Sequence, residues 1–126
     1  MRAVDTNLVV RLLVRDDQKQ ADTAEDFIKS GAWISHLVLV ETVWVLASVY
    51  GLGRPEIAAA VEMLLNHRHL VLQHPDEVSA ALAGYRKPDG PDFSGCLILE
   101  AARKNGHLPL GTFDRRLSRL SGAQRL

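Results

Sequence analysis

Residues 31–51 read GAWISHLVLVETVWVLASVYG, a strand-length apolar run followed at once by a helix-length one. Ala32-Trp33-Ile34-Ser35 is short enough for a buried strand, and Leu37 to Tyr50 is a mostly apolar helix closed by Gly51. The same alternation extends in both directions. Toward the N-terminus, Ala3-Val4 forms a strand leading directly into Asp5. Leu8 to Val14 follows as a compact apolar helix punctuated by Arg11 and Arg15. Gln18 to Ser30 carries Ala21, Ala24, Phe27 and Ile28 at helical spacing and stops at Gly31.

Toward the C-terminus, Pro55 opens a helix that runs through Leu65, proline being well placed in a first helical turn. Leu70-Val71-Leu72 is a third strand, and Asp76 to Arg86 is helical with Val78, Ala81, Leu82 and Tyr85 on one face. Lys87-Pro88-Asp89-Gly90-Pro91 is a turn by composition. Asp92 to Asn105 is a helix ended by Gly106, and Leu108 to Thr112 is a last strand before a basic tail helix. Strands alternating with helices specify an α/β chain. The expected architecture is a three-layer α/β/α sandwich with a central parallel sheet, built as one domain over residues 1–126.

Composition narrows the function. The 126 residues are 47% hydrophobic and 24% charged, with 15 basic and 15 acidic side chains that cancel. Nucleic-acid binding through bulk charge is thereby excluded, though a local basic patch is not. One cysteine, Cys96, rules out an internal disulfide framework and a cysteine-based zinc site, and suits a reducing compartment. The charge-free stretch from Thr42 to Gly53 is too short to cross a bilayer, and Arg2 and Asp5 interrupt any signal-peptide core. A soluble, cytoplasmic protein without a membrane partner is expected.

Four acids fall where ligands of parallel sheets gather, beyond strand ends and at helix starts. Asp5 ends the first strand, where it could equally cap the helix after it. Glu41 sits in LVLVETVWVLASV, apolar on nearly every face, so its helix is expected to be buried all round. A carboxylate there needs a metal, an arginine or a narrow solvent stripe shared with Ser48. Asp92 and Asp114 begin helices and could also be caps. Oxygen ligands converging without histidine or cysteine suit Mg²⁺ or Mn²⁺, and such centres support phosphoryl transfer or phosphodiester hydrolysis.

Other candidates read as structural. His67, His69 and His74 fit no metal spacing, Asp16-Asp17 is a turn or cap pair, and Cys96 is a core residue. Trp33, Trp44, Leu46 and Tyr50 belong to the core or to a dimer surface. Arg115, Arg116 and Arg119 follow Asp114 and either contact RNA phosphates or solvate a terminal helix.

Asp5-Thr6-Asn7, Glu41 within Val38 to Leu46, Asp92-Phe93 before Cys96-Leu97-Ile98, and Thr112-Phe113-Asp114 together resemble the PIN-domain ribonucleases over nearly the whole chain. The resemblance is closest to the VapC-type toxins of toxin–antitoxin pairs. It implies a Mg²⁺- or Mn²⁺-dependent endoribonuclease in which Asp5, Glu41, Asp92 and Asp114 are catalytic and bind metal. Asn7 and Thr112 would orient those carboxylates, and Arg115 and Arg116 would bind RNA. Such a metal would polarise the scissile phosphate and activate a water. A homodimer and a small antitoxin partner are also implied.

One position departs from the family pattern. Its third motif usually reads Asp-Phe-x-Asp, whereas here Asp92-Phe93-Ser94 is followed by Gly95. The alternative is therefore a catalytically weakened PIN-fold module that binds antitoxin or RNA without efficient cleavage. A phosphorelay receiver domain is the nearest rival by size and fold, but this chain lacks a receiver's paired acids, central aspartate and lysine.

Overall fold

Seven helices and five strands alternate along the chain, and every strand pair is parallel. The computed structural model describes residues 1–126. They form two compact units, Met1–Pro75 and Asp76–Leu126. This is the mixed α/β class expected, with the strands divided between a three-stranded and a two-stranded sheet.

The first unit has the sheet order β1-β2-β3, with β1 Arg2–Ala3, β2 Ala32–Ile34 and β3 Leu70–Leu72. Arg2 lies opposite Ala32, and Trp33 opposite Val71. Val4 lies beyond the formal end of β1 but still donates its amide to the Trp33 carbonyl at 3.2 Å. Parallel neighbours require crossovers, and each crossover here is a helix pair. The first comprises α1 (Thr6–Val14) and α2 (Gln18–Ile28), the second α3 (His36–Ser48) and α4 (Arg54–Asn66). β2 is central, and its Ala32 and Ile34 are wholly buried, as strands covered on both faces must be.

Local chemistry sets the helix starts. Asp17 accepts the Gln20 amide at 3.0 Å and Ser35 accepts that of Val38 at 3.1 Å, so both are N-caps. Asp16, its partner in the expected turn pair, instead joins a polar knot. The Arg11 guanidinium donates to Asp16 at 3.1 Å and to the Tyr50 hydroxyl at 3.0 Å, and Tyr50 donates to Asp16 at 2.9 Å. The knot ties α1 to the residues after α3. Gly31 has φ +94°, a conformation that β-carbons resist, and this lets the chain leave α2 and enter β2.

The expectation that α3 is buried all round is overturned. Only Leu39, Thr42 and Leu46 are buried, whereas Leu37 and Trp44 are 84% and 65% exposed. α3 packs against α1 and α4 on one side, so an apolar sequence on the other gains no cover within this unit. Leu46 thus belongs to the core, Trp33 is half-buried and Trp44 faces outward.

The second unit opens with α5 (Pro75–Tyr85), followed by α6 (Phe93–Lys104), β4 (Leu110–Thr112), α7 (Arg115–Ser118) and β5 (Ala123–Arg125). Tyr85 and Phe93 meet edge to face at 5.9 Å, and Cys96 is buried as expected. The basic tail helix is only four residues long, and a strand the sequence did not announce follows it. β5 pairs in parallel with β4, Leu110 opposite Ala123 and Thr112 opposite Arg125. Asp76 and Lys104 form an exposed ion pair; their hydrogen bond holds the Asp76 carboxyl below, and the Lys104 ammonium above, its usual range. No helix is long and apolar enough to cross a membrane.

The histidines between α4 and α5 hold no metal arrangement. The rings of His67 and His69 lie 5.7 Å apart between centroids, tilted 51° to each other. Burial pushes the His67 imidazole below its ordinary range, and the charges of His69 and Arg68 push the same way. The fold therefore disfavours the imidazolium. Stability from this source is present above the ordinary histidine value, about 6.5, and is lost as pH falls from there toward the lowered folded value. The urea midpoint is expected to drop between pH 7.5 and 5, and His67→Gln should flatten that drop. An identical pH dependence in the variant would exclude His67 as its source.

Candidate active site

The first unit supplies Asp5, Asn7 and Glu41. Asp5 stands at the N-cap of α1, where one carboxylate oxygen accepts the Leu8 amide at 3.1 Å. Capping and ligation are compatible, because the second oxygen is left over. Thr6, the first residue of α1, is buried and donates its hydroxyl to Glu41 Oε1. Glu41 itself is exposed on α3, on the stripe that also carries Leu37 and Trp44. Neither a buried ion pair nor an arginine partner explains it. A single threonine hydroxyl fixes it instead, and so connects the residue after Asp5 to Glu41. Asn7 is exposed one position further along and lines a cavity of about 510 Å³ with Leu8, Arg11 and Phe27.

The second unit supplies Asp92, Asp114, Thr112 and the arginines. Asp92 occupies the N-cap position of α6, yet its side chain makes no capping bond. The cap expected there is thus positional only, and both carboxylate oxygens stay open. Asp114 caps α7 by accepting the Leu117 amide at 2.9 Å, while its own amide donates to the Thr112 hydroxyl at 3.0 Å. Thr112 therefore orients Asp114 through the backbone. A β-carbon at Gly95 would lie 3.5 Å from Leu117, an ordinary contact. Since Gly95 is in the first turn of α6 and Leu117 in the first turn of α7, the helix starts bearing Asp92 and Asp114 adjoin. Arg115 and Arg116 are exposed immediately after.

Thr6 is the partner of Glu41 that sequence reasoning missed. A hydroxyl at the start of an apolar helix is the signal that could have found it. Once Thr6 is buried, that hydroxyl needs an acceptor.

Asp5 and Glu41 in the first unit, and Asp92 and Asp114 in the second, are exposed carboxylates, each with at least one oxygen outside intramolecular bonds and no cysteine or histidine beside it in the chain. That chemistry fits a hard divalent cation such as Mg²⁺ or Mn²⁺. Within neither unit do three His, Cys, Asp or Glu side chains form a ready-made metal cluster.

Parallel strands passing into helices that begin at exposed acids define a class of α/β domain built for chemistry at helix starts. The model of the PIN domain family matches residues 2–123, and the chain belongs to that family. PIN domains are generally nucleases. No curated protein matches the chain.

The Thr6–Glu41 bond has a measurable consequence. Thr6→Val keeps the shape and removes the donor, and should cost about 0.5–1.5 kcal/mol in urea unfolding, whereas Thr6→Ser should cost less. In a Glu41→Ala background the Thr6→Val loss should vanish, as a double-mutant cycle requires. An equal loss in both backgrounds would remove Glu41 as the partner.

Proposed function

We propose that this chain is a metal-dependent endoribonuclease acting as the toxin of a toxin–antitoxin pair, of the VapC type. The observation that carries the proposal is electrostatic. None of Asp5, Glu41, Asp92 or Asp114 is neutralised by an ion pair, although the chain holds 15 lysines and arginines. Three are oriented by neutral donors (backbone amides for Asp5 and Asp114, the Thr6 hydroxyl for Glu41), and Asp92 is left open. Carboxylates fixed in direction and kept charged are what a divalent cation requires.

Bound Mg²⁺ or Mn²⁺ supplies an electrophile for the scissile phosphate and a water of lowered pKa. As the family resemblance implies, Asp5, Glu41, Asp92 and Asp114 would hold such an ion. Asn7 and Thr112 orient the carboxylates, and Arg115 and Arg116 contact RNA phosphates. The family match runs through both units, which supports treating residues 1–126 as one PIN-like domain. A homodimer is supported by Trp44 and Val49, 65% and 67% exposed near the end of α3. The small antitoxin completes the pair in the cytoplasm.

Gly95 favours a second reading, a module that binds antitoxin or RNA without efficient cutting. It stands where the family's third motif carries an acid, and a β-carbon there would lie 3.5 Å from Leu117.

Cleavage of RNA with and without Mn²⁺ separates the two. The nuclease should cut only with the ion. Glu41→Gln should reduce Mn²⁺ affinity in calorimetry and abolish cutting while the fold survives; unchanged affinity would refute Glu41 as a ligand.

Gly95→Asp adds a carboxylate to the first turn of α6 and should raise both Mn²⁺ affinity and cleavage. Gly95→Ala should raise stability alone, by about 0.5–1 kcal/mol. If Gly95→Asp changes neither metal affinity nor cleavage, position 95 lies outside the site.

A further inference from the structure

Phe113 is 80% exposed in the two-residue link between β4 and α7. Its backbone is nevertheless held firmly. On one side the Leu126 amide donates to the Thr112 carbonyl at 3.0 Å. On the other, Asp114 is pinned by its amide bond to Thr112 Oγ1, by the cap to Leu117 and by the Ser118 amide on its carbonyl at 3.0 Å. Leu117 is buried and anchors the turn from below. An aromatic ring is thus presented to solvent on a rigid mount.

Its surroundings are cationic. Residues 112–126 contain Arg115, Arg116, Arg119 and Arg125 against Asp114 alone, so four minus one gives +3 in a chain of zero net charge. Arg115 and Arg116 follow in the chain, and Arg125 is the strand partner of Thr112. None of these four guanidiniums is engaged in an ion pair. A presented ring bordered by unpaired guanidiniums is the chemistry that binds single-stranded nucleic acid: the ring stacks on a base and the cations follow the phosphates.

We propose that Phe113 is the base-stacking platform of this protein, taking one unpaired nucleobase of single-stranded RNA beside Asp114 while Arg115 and Arg116 contact the neighbouring phosphates. This rests on the ribonuclease reading and adds a positioning residue to it. Stacking selects unpaired substrate, because a base in a duplex offers no free face. It also sets which nucleotide lies next to Asp114.

The test is binding of a fluorescein-labelled unstructured RNA and of its duplex to the full chain in EDTA, read by anisotropy. Phe113→Ala should weaken single-strand binding about tenfold, or about 1.4 kcal/mol, and leave duplex binding unchanged. Phe113→Leu should show the same loss and Phe113→Trp should restore affinity. The dependence of log K on log salt should keep its slope in Phe113→Ala but flatten when Arg115 and Arg116 are both changed to Gln. An urea midpoint equal to wild type confirms that the exposed ring was not structural. Wild-type affinity in Phe113→Ala or Phe113→Leu overturns the proposal, as does wild-type protein that binds neither RNA. A shift of oligomeric state in Phe113→Ala with RNA affinity unchanged assigns the ring to a protein contact and also overturns it. Cleavage in Mn²⁺ is scored separately. Loss of binding in Phe113→Ala without wild-type cutting sinks only the nuclease reading, and cutting with unaltered binding sinks only the platform.

Discussion

Parallel pairing imposes one constraint from which the other features follow. A strand that has a parallel neighbour has to turn at its carboxyl end into a crossover, and in this chain that crossover begins with a helix. Every such turn exposes the unpaired amides of a helix start, and these need an acceptor. Asp5, Ser35 and Asp114 meet that need after β1, β2 and β4. Structural demand thus places short oxygen-bearing side chains at strand ends, where a nuclease needs its acids. At Asp5 and Asp114 one oxygen serves the helix and the other accepts no intramolecular bond. Ser35 caps α3 without a carboxylate, and the acid of the β2 crossover, Glu41, lies inside α3.

That displacement explains Thr6. A glutamate on an exposed helix face has several rotatable bonds and nothing to fix it, and immobilising it costs entropy. The Thr6 hydroxyl, buried and stiff at χ1, sets the carboxylate without neutralising it. An arginine in the same place would hold Glu41 as firmly but cancel the charge a cation needs. Elsewhere in the first unit the chain does use such pairs, in Arg11–Asp16 and Arg15–Glu25. Asp16 and Glu25 are thus paired acids, whereas Asp5, Glu41 and Asp114, like the structural cap Asp17, accept only from neutral donors.

Much of this was legible from residue order. β2, β3 and the helices around them follow from apolar run lengths and from Gly31, Gly51 and Pro55, and the acids at helix starts follow from the same punctuation. Two features were hidden for physical reasons. The exposure of α3 is not written in its own sequence, because an apolar residue looks alike whether a neighbour covers it or not. β5 was hidden because Ala123-Gln124-Arg125 has no apolar alternation, and its strand character comes from bonding to β4. Within the site, Asp92 looked like a cap and is one only by position. No spacing rule encodes whether a carboxylate at a helix start bonds to the first-turn amides.

Gly95 brings these threads together. Its backbone needs no positive φ, and a β-carbon there meets Leu117 at an ordinary 3.5 Å, so the fold does not demand glycine. An aspartate in the first turn of α6 would gain about 0.3–1 kcal/mol from the helix dipole. Repulsion from Asp92, three residues earlier, would return about 0.2–0.5 kcal/mol of that. These terms oppose each other, and their balance together with glycine's propensity cost leaves a preference for aspartate of about 1 kcal/mol or less. What changes is the charge at the adjoining starts of α6 and α7: with glycine the two acids there are Asp92 and Asp114, and with aspartate there are three. A carboxylate at 95 would thus add negative charge at these helix starts at little expense to the fold.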